Sequence, residues 1–136
     1  MDPVTDFVAD TVGLVRYLED SLPPAANRAF KEAERGRAMI FLPEIALGEF
    51  LYIALRGRVR ISDPGSLVGE VLDQLRSAAY ITLSTLSLEA WKTFLGLNIS
   101  ELHDRMIAAE AMSRGLPLIS NDPSFATVKQ LKTIWR

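Results

Sequence analysis

The feature that most constrains the fold is a set of short, continuous apolar runs separated by helical patterns. Four runs lack the alternation of a half-exposed strand: residues 6–10, 39–43, 80–86 and 116–122. Continuous apolar runs of this length are typical of strands that are covered on both faces. A weaker fifth candidate is LKTIWR, residues 131–136.

Stretches with helical periodicity lie between these runs, at residues 11–20, 24–36, 44–57, 64–78, 87–97 and 101–115. Pro43 with Gly57, and Ser100 with Gly115, mark the expected start and end of two of them. Alternating strands and helices predict a parallel sheet with helices on both faces. The sequence therefore predicts a three-layer α/β/α fold with about five parallel strands, in a single domain over residues 1–136.

Composition and charge exclude several kinds of site. The net charge of -2 gives no general attraction to nucleic acid, so RNA or DNA would need a local basic patch or bound cations. The absence of Cys excludes disulfides, thiolate zinc sites and thiol nucleophiles. The N-terminal MDPVTDFVAD carries acids before any apolar run, and no stretch approaches the ~20 apolar residues of a membrane span. We therefore expect a soluble, cytoplasmic protein.

Two acidic residues occupy helix positions that should face the core. Asp104 and Glu49 each share a helical stripe with apolar residues: Ile107, Ala108 and Ala111 for the first, and Ile45, Ala46, Tyr52 and Ile53 for the second. Residues spaced in this way lie on one face of a helix. We therefore expect both carboxylates to point inward.

The predicted topology brings these two acids to the same edge of the sheet as Asp10 and Asp122. Asp10 ends the first predicted strand and Asp122 ends the fourth, while the helices carrying Glu49 and Asp104 begin at that carboxyl edge. Open α/β folds bind ligands there. Taken singly, Asp10 and Asp122 are also good N-cap residues, and a small change in register would turn the other two outward. The convergence of all four favours a shared acidic site.

Four neighbouring carboxylates require compensation of their charge. They repel one another and lose hydration, so some must protonate or a cation must join them. Oxygen ligands, with no Cys and a single His, favour Mg²⁺ or Mn²⁺ over zinc. One ion with outer-shell support, or two ions about 3.5 to 4 Å apart, are both compatible with four acids.

Four segments resemble the successive acidic motifs of PIN-domain nucleases, in particular the VapC-like toxins of toxin–antitoxin pairs: FVADTVGLVRYL, LPEIALGEF, HDRMIAAEAMSRG and LPLISND. The resemblance covers nearly the whole chain in the family's order and spacing. It implies metal-site carboxylates at Asp10, Glu49, Asp104 and Asp122. Two supporting hydroxyls are implied at Thr11 and Ser120. It also implies metal-dependent hydrolysis of RNA that leaves a 5′-phosphate and a 3′-hydroxyl. Glu44 and Asn121 depart from the usual pattern, but neither replaces an implied ligand.

The same resemblance implies partners. VapC-like proteins usually form homodimers and are inhibited by a small antitoxin that covers the acidic site, and the apolar helices at residues 44–57 and 66–75 offer surfaces for either contact. An antitoxin Arg would compete with the metal for Asp10 and Asp104. Two other classes stay open: a PIN-fold scaffold that does not cut, and a phosphate-responsive signalling domain of flavodoxin-like topology. The latter is less similar, because Asp10 lacks neighbouring acids.

Four arginines are candidates for contacts with RNA phosphates: Arg56, Arg58 and Arg60 beyond the predicted third helix, and Arg105 next to one of the acids. For any single Arg, a solvated surface position is the commoner outcome. His103 lies about 100° round the helix from Asp104, which argues against a role in the site. Trp91 and Trp135 lie within helical and strand patterns and are predicted to pack in the core rather than to stack on bases.

Overall fold

Five parallel strands form the centre of the fold. The computed structural model describes residues 5–56 and 64–136. Its strands are β1 (Phe7–Ala9), β2 (Ile40–Pro43), β3 (Ile81–Ser84), β4 (Leu118–Ile119) and β5 (Thr133–Ile134). Every pairing is parallel, and the order across the sheet is β3-β2-β1-β4-β5. The predicted parallel sheet is confirmed, including its weak fifth strand.

Six α-helices connect the strands: α1 (Thr11–Leu18), α2 (Pro24–Glu34), α3 (Glu44–Leu55), α4 (Pro64–Ser77), α5 (Leu88–Gly96) and α6 (Leu102–Arg114). A short 3-10 helix, Pro123–Thr127, follows β4. Each α-helix matches a predicted stretch to within about two residues at either end, which confirms the α/β/α fold class. In the described parts of the chain, none of the helices is long and apolar enough to cross a membrane.

Helix α6 begins one residue later than predicted. Glu101, rather than Ser100, is its N-cap, because the Glu101 carboxylate accepts the N–H of Asp104 at 2.6 Å. The predicted end is correct. Gly115 takes the left-handed conformation (φ 66°) that closes the helix, and glycine adopts it without strain.

The strand order identifies where a ligand site is expected. β1, β2 and β3 follow one another outward in one direction, whereas β4 returns to the other side of β1 and β5 lies beyond it. The direction of winding therefore reverses between β1 and β4, and doubly wound sheets bind ligands at such a switch point. The flavodoxin-like order 2-1-3-4-5 is different, so the signalling-domain alternative does not have the topology of this chain.

The core fills both faces of the sheet. Its largest fully buried apolar side chains are Phe30, Phe50, Phe125, Ile40, Leu42, Ile107, Leu118 and Ile119. Burial of each such side chain stabilises the fold by about 1.5 to 3 kcal/mol. Helix α3 packs against both α1 and α6, and this places side chains from three distant segments side by side at the carboxyl edge.

Candidate functional site

Asp10 is the most buried of the four predicted acids. It follows β1 and caps α1, accepting the Gly13 N–H on Oδ1 at 2.8 Å, and only 5% of the residue is exposed. The pKa of Asp10 is raised to about 6, chiefly by burial and in smaller part by the charges of Asp122 and Glu49, against hydrogen bonds from Ser120 and Gly13 that lower it. The carboxyl therefore lies in a poorly hydrated position beside two other acids.

Gly13 allows this close arrangement. A Cβ atom at that position would lie 3.1 Å from the Ile119 carbonyl oxygen and 3.3 Å from Asp10 Oδ1. These separations are too short for a relaxed side chain. A glycine therefore lets α1 approach the end of β4, which brings the cap of α1 close to the segment that follows β4.

Asp122 occupies the equivalent position after β4. Its Oδ1 accepts the N–H of Ser124 at 2.9 Å, so that it caps the 3-10 helix, and its own N–H donates to Ser120 Oγ at 3.1 Å. Because β1 and β4 are neighbours, the residues after them face each other across the switch point. Asp10 and Asp122 are therefore N-caps and members of one acidic cluster at the same time.

Asp104 lies in the first turn of α6, close to Asp122. Loss of hydration raises the pKa of Asp104 to about 7, together with the charges of Asp122, Glu101 and Glu49 and a hydrogen bond to Asp122. A hydrogen bond between two carboxyl groups requires a proton on one of them. Near neutral pH, Asp104 is therefore partly protonated when no cation is bound.

Glu49 completes the cluster from α3. Its Oε1 accepts the hydroxyl hydrogen of Thr11 at 2.8 Å, and its Oε2 lies 3.3 Å from His103 Nδ1. Thr11 and Ser120, the two predicted supporting hydroxyls, thus each contact one of the acids. The sequence did not predict a role for His103 beside Glu49, because the contact depends on how α3 packs against α6.

The structure brings all four predicted acids together, but two of them lie differently from the expectation. Glu49 and Asp104 are half-buried at the rim of the sheet and do not point into the core. The predicted apolar stripe of α3 is also wrong at Tyr52, which is 60% exposed. Glu49 contacts Thr11 of α1 and His103 of α6, and Asp104 contacts Asp122 after β4, so both acids face groups at the carboxyl edge and not the core.

Two of the four arginines predicted to bind RNA, Arg56 and Arg105, lie outside this cluster. Arg105 donates to the carbonyl oxygens of Phe94 and Leu95 at 2.7 and 3.1 Å, and its guanidinium stacks on the Phe94 ring, so it ties α6 to the end of α5. Arg56 follows α3 and contacts Tyr52 through the ring and the hydroxyl. Arg58 and Arg60 lie outside the described residues. A phosphate-binding role for these arginines stays a prediction.

The chemistry of the donor set suits a hard divalent cation. The four acids offer only oxygen atoms, and within residues 5–56 and 64–136 none of them forms an ion pair with a Lys or Arg. In the same ranges, no three Asp, Glu or His side chains are already arranged to hold one ion.

Comparisons with known proteins agree with the fold. The PIN domain family model matches residues 7–131. Similar solved structures include a DNA-bound VapBC from Salmonella typhimurium (18% identity, TM-score 0.71, 95% of this chain and 96% of that one). A second is VapBC2 from Rickettsia felis, bound to a DNA fragment from its promoter (16% identity, TM-score 0.70, 95% of this chain and 97% of that one).

A third similar structure is VapBC-5 from Mycobacterium tuberculosis, a member of the VapBC family of toxin–antitoxin systems (21% identity, TM-score 0.59, 98% of this chain and 100% of that one). No curated protein sequence matched significantly. Identities this low show a shared fold and nothing finer. The family model, in contrast, spans most of the 136 residues, and the chain therefore belongs to the PIN domain family.

Proposed function

We propose that the protein is a divalent-metal-dependent endoribonuclease that hydrolyses RNA phosphodiesters and acts as a VapC-like toxin in the cytoplasm. The observation that carries the proposal is the meeting of Asp10, Glu49, Asp104 and Asp122 at the switch point. These acids come from four distant segments, and among the described residues no Lys or Arg neutralises them. Membership of the PIN domain family supports the same activity.

Mg²⁺ or Mn²⁺ would be held by Asp10, Asp104 and Asp122, with Glu49 in support. A divalent cation bound there would supply a water of lowered pKa and would neutralise charge on the cleaved phosphate. The protein's own groups prepare the site. The Gly13 N–H and the Ser120 hydroxyl fix Asp10, while the Thr11 hydroxyl fixes Glu49.

Asp104 adds a proton-binding function. Its pKa of about 7 leaves it partly protonated at neutral pH, so cation binding must release that proton. Either Asp104 or Asp122 would then lie where it can accept a proton from an attacking water. Which of the two acts as the base depends on the position of the RNA.

We extend the proposal to a protein partner, an antitoxin that covers the acidic edge. The similar solved structures include a member of the VapBC family of toxin–antitoxin systems, which supports a protein partner for this chain. In this chain, a groove of about 450 Å³ runs along α3 beside Glu49 and His103, with Ile45 and Ile53 in its walls. An amphipathic antitoxin segment would fit this apolar groove and would extend an Arg toward Asp10 and Asp104.

A homodimer is the second proposed assembly. Helix α5 exposes Leu88 (81%) and Leu95 (77%), with Trp91 between them. Apolar side chains this exposed on one helix are the kind that oligomer contacts cover. Sedimentation of the parent and of Leu88→Lys/Leu95→Lys would test the idea, and a parent protein that is monomeric at micromolar concentration would refute it.

The experiment that tests the nuclease proposal is cleavage of mixed single-stranded RNAs with Mg²⁺ or Mn²⁺, with and without EDTA. The parent is compared with Asp10→Asn, and with Asp73→Asn as a control of matched charge on the exposed face of α4. We expect metal-dependent cutting by the parent and by Asp73→Asn, and a loss of at least ~100-fold in Asp10→Asn.

Metal binding is measured separately from cutting. Addition of Mn²⁺ should raise the melting temperature of the parent and of Asp73→Asn, but raise that of Asp10→Asn less, because only a ligand bound to the folded state stabilises it. Stabilisation by Mn²⁺ without cutting would support a binding scaffold instead of an enzyme. Equal cutting by the parent and Asp10→Asn would remove the proposed mechanism.

A further inference from the structure

A second groove opens directly from the acidic edge, on the side away from α3. It has a volume of about 350 Å³, and Ser120, Asn121 and Asp122 line it together with Trp135 and Arg136. Two of these residues, Ser120 and Asp122, also belong to the acidic cluster. A ligand in this groove would therefore touch the segment that holds two of the proposed metal-site groups.

Trp135 is held firmly at the wall of the groove. Its carbonyl oxygen accepts the N–H of Ala26 at 3.0 Å, and the adjacent Ile134 carbonyl accepts the N–H of Ser120 at 3.2 Å. The indole ring is half-buried, and the Arg16 guanidinium lies 5.6 Å from its centroid. A fixed aromatic ring at the wall of a groove can stack on a nucleobase with little loss of conformational entropy.

Charge and polarity distinguish this groove from the one along α3. Arg136 gives it a cation near the acids, and the exposed Asn121 offers an amide that can donate to and accept from a base edge. The α3 groove has mainly apolar walls, and none of its described lining residues is a Lys or an Arg that could bind a phosphate. Of the two, the Trp135 groove is therefore the better match for a nucleotide.

We infer that the groove between Asp122 and Trp135 binds one nucleotide of single-stranded RNA next to the cleaved phosphodiester. Trp135 stacks on the base, Arg136 binds a phosphate and Asn121 contacts the base edge. The volume falls at the lower end of the range for small-ligand pockets, about 300 to 1,000 Å³, as a single nucleotide requires. This inference rests on the proposed ribonuclease activity, since it names how that substrate is held.

The test uses the fluorescence of Trp135 in the intact protein. The chain has two Trp residues, so Trp91→Phe leaves Trp135 as the only indole. A short single-stranded oligoribonucleotide is titrated in EDTA, which prevents cutting, and binding is followed in parallel by the anisotropy of labelled RNA. We expect saturable quenching of Trp135 with the same midpoint as the anisotropy change.

Arg136→Gln is compared with Lys129→Gln, a control that removes an exposed cation outside the groove. We expect Arg136→Gln to weaken RNA binding at least about fivefold and to lower the salt slope by about 0.7, the value for one lost phosphate contact on a single strand. Lys129→Gln should change neither quantity.

Two results would overturn the inference. RNA that binds and is cut while Trp135 fluorescence stays constant, with Arg136→Gln equal to Lys129→Gln, would place the nucleotide elsewhere and leave the proposed activity intact. A parent protein that neither binds nor cuts RNA would refute the activity and the nucleotide subsite together.

Discussion

Asp10→Asn should make the metal-free protein more stable while it abolishes cutting. The pKa of Asp10 rises from 3.8 to about 6 on folding, chiefly through burial. A tenfold change in an equilibrium constant is 1.36 kcal/mol, so the ionised carboxylate destabilises the folded state by about 3 kcal/mol above pH 6. Asn resembles the neutral acid in shape and keeps an oxygen for the Gly13 N–H. The variant should therefore recover up to about 3 kcal/mol at pH 7.5.

The pH dependence gives this prediction its sign. A carboxyl whose pKa is raised by folding contributes its stability below the unfolded pKa of 3.8, and that contribution is lost as the pH rises through about 6. The advantage of Asp10→Asn should therefore be largest at pH 7.5 and close to zero at pH 3.5. It corresponds to roughly 10 °C in melting temperature for a chain of this length.

Urea unfolding in EDTA at pH 3.5, 5 and 7.5 measures the effect, with Asp73→Asn as the control. Mn²⁺ should then reverse the order at pH 7.5, because the parent gains a bound ion that Asp10→Asn binds weakly. If Asp10→Asn is less stable than the parent at pH 7.5 in EDTA, the ionised carboxylate does not destabilise the folded state and the reasoning fails. A constant difference at all three pH values would show that the effect comes from packing.

Three further predictions follow from single contacts. Affinity for Mn²⁺ should fall at least about tenfold between pH 8 and pH 6 by calorimetric titration, because Asp104, with a pKa of about 7, must release its proton. Asp104→Asn should reduce this dependence to about twofold, the part that Asp10, with a pKa of about 6, still contributes. A parent affinity independent of pH would contradict the prediction. Gly13→Ala should destabilise the fold by about 1 to 3 kcal/mol, measured by urea unfolding, and should slow RNA cutting. The reason is that the new methyl group would press on the Ile119 carbonyl oxygen. An unchanged free energy of unfolding would refute the close approach of α1 to the end of β4. Phe30→Ala should cost about 3 to 5 kcal/mol in the same assay, and a loss below ~1 kcal/mol would show that Phe30 is not in the core.

Much of the site could be predicted because it depends on where strands end and helices begin. Asp10 and Asp122 each follow an apolar run that reads clearly as a strand, and parallel strands send such residues to a common edge. The sequence did not give the strand order. It is the pairing of β1 with β4 that places these two acids at adjacent strand ends, and that pairing joins residues more than 100 positions apart in the chain.

Details that depend on contact between helices could not be predicted. His103 lies on a different side of α6 from Asp104, so its position in the sequence argued against a role in the site. Packing of α3 beside α6 nevertheless puts its Nδ1 3.3 Å from Glu49. The cap of α6 is a similar case, because both Ser100 and Glu101 can cap a helix and only the local backbone path decides between them.

Glu110 shows why an inward-facing acid alone does not identify a site. It is 1% exposed, more buried than Asp10, and its Oε2 accepts the Ser84 hydroxyl at 2.6 Å; in the described parts of the chain Oε1 has no partner. Burial raises the pKa of Glu110, whereas the Ser84 hydrogen bond and the charge of Arg114 lower it. Asp10 and Asp104 differ because the pKa of each is also raised by the charges of Asp122 and Glu49. A cation beside Asp10 and Asp104 would relieve this repulsion, while Glu110 already has the positive charge of Arg114 nearby. This difference in neighbouring charges, more than burial, favours a metal site at the first two acids.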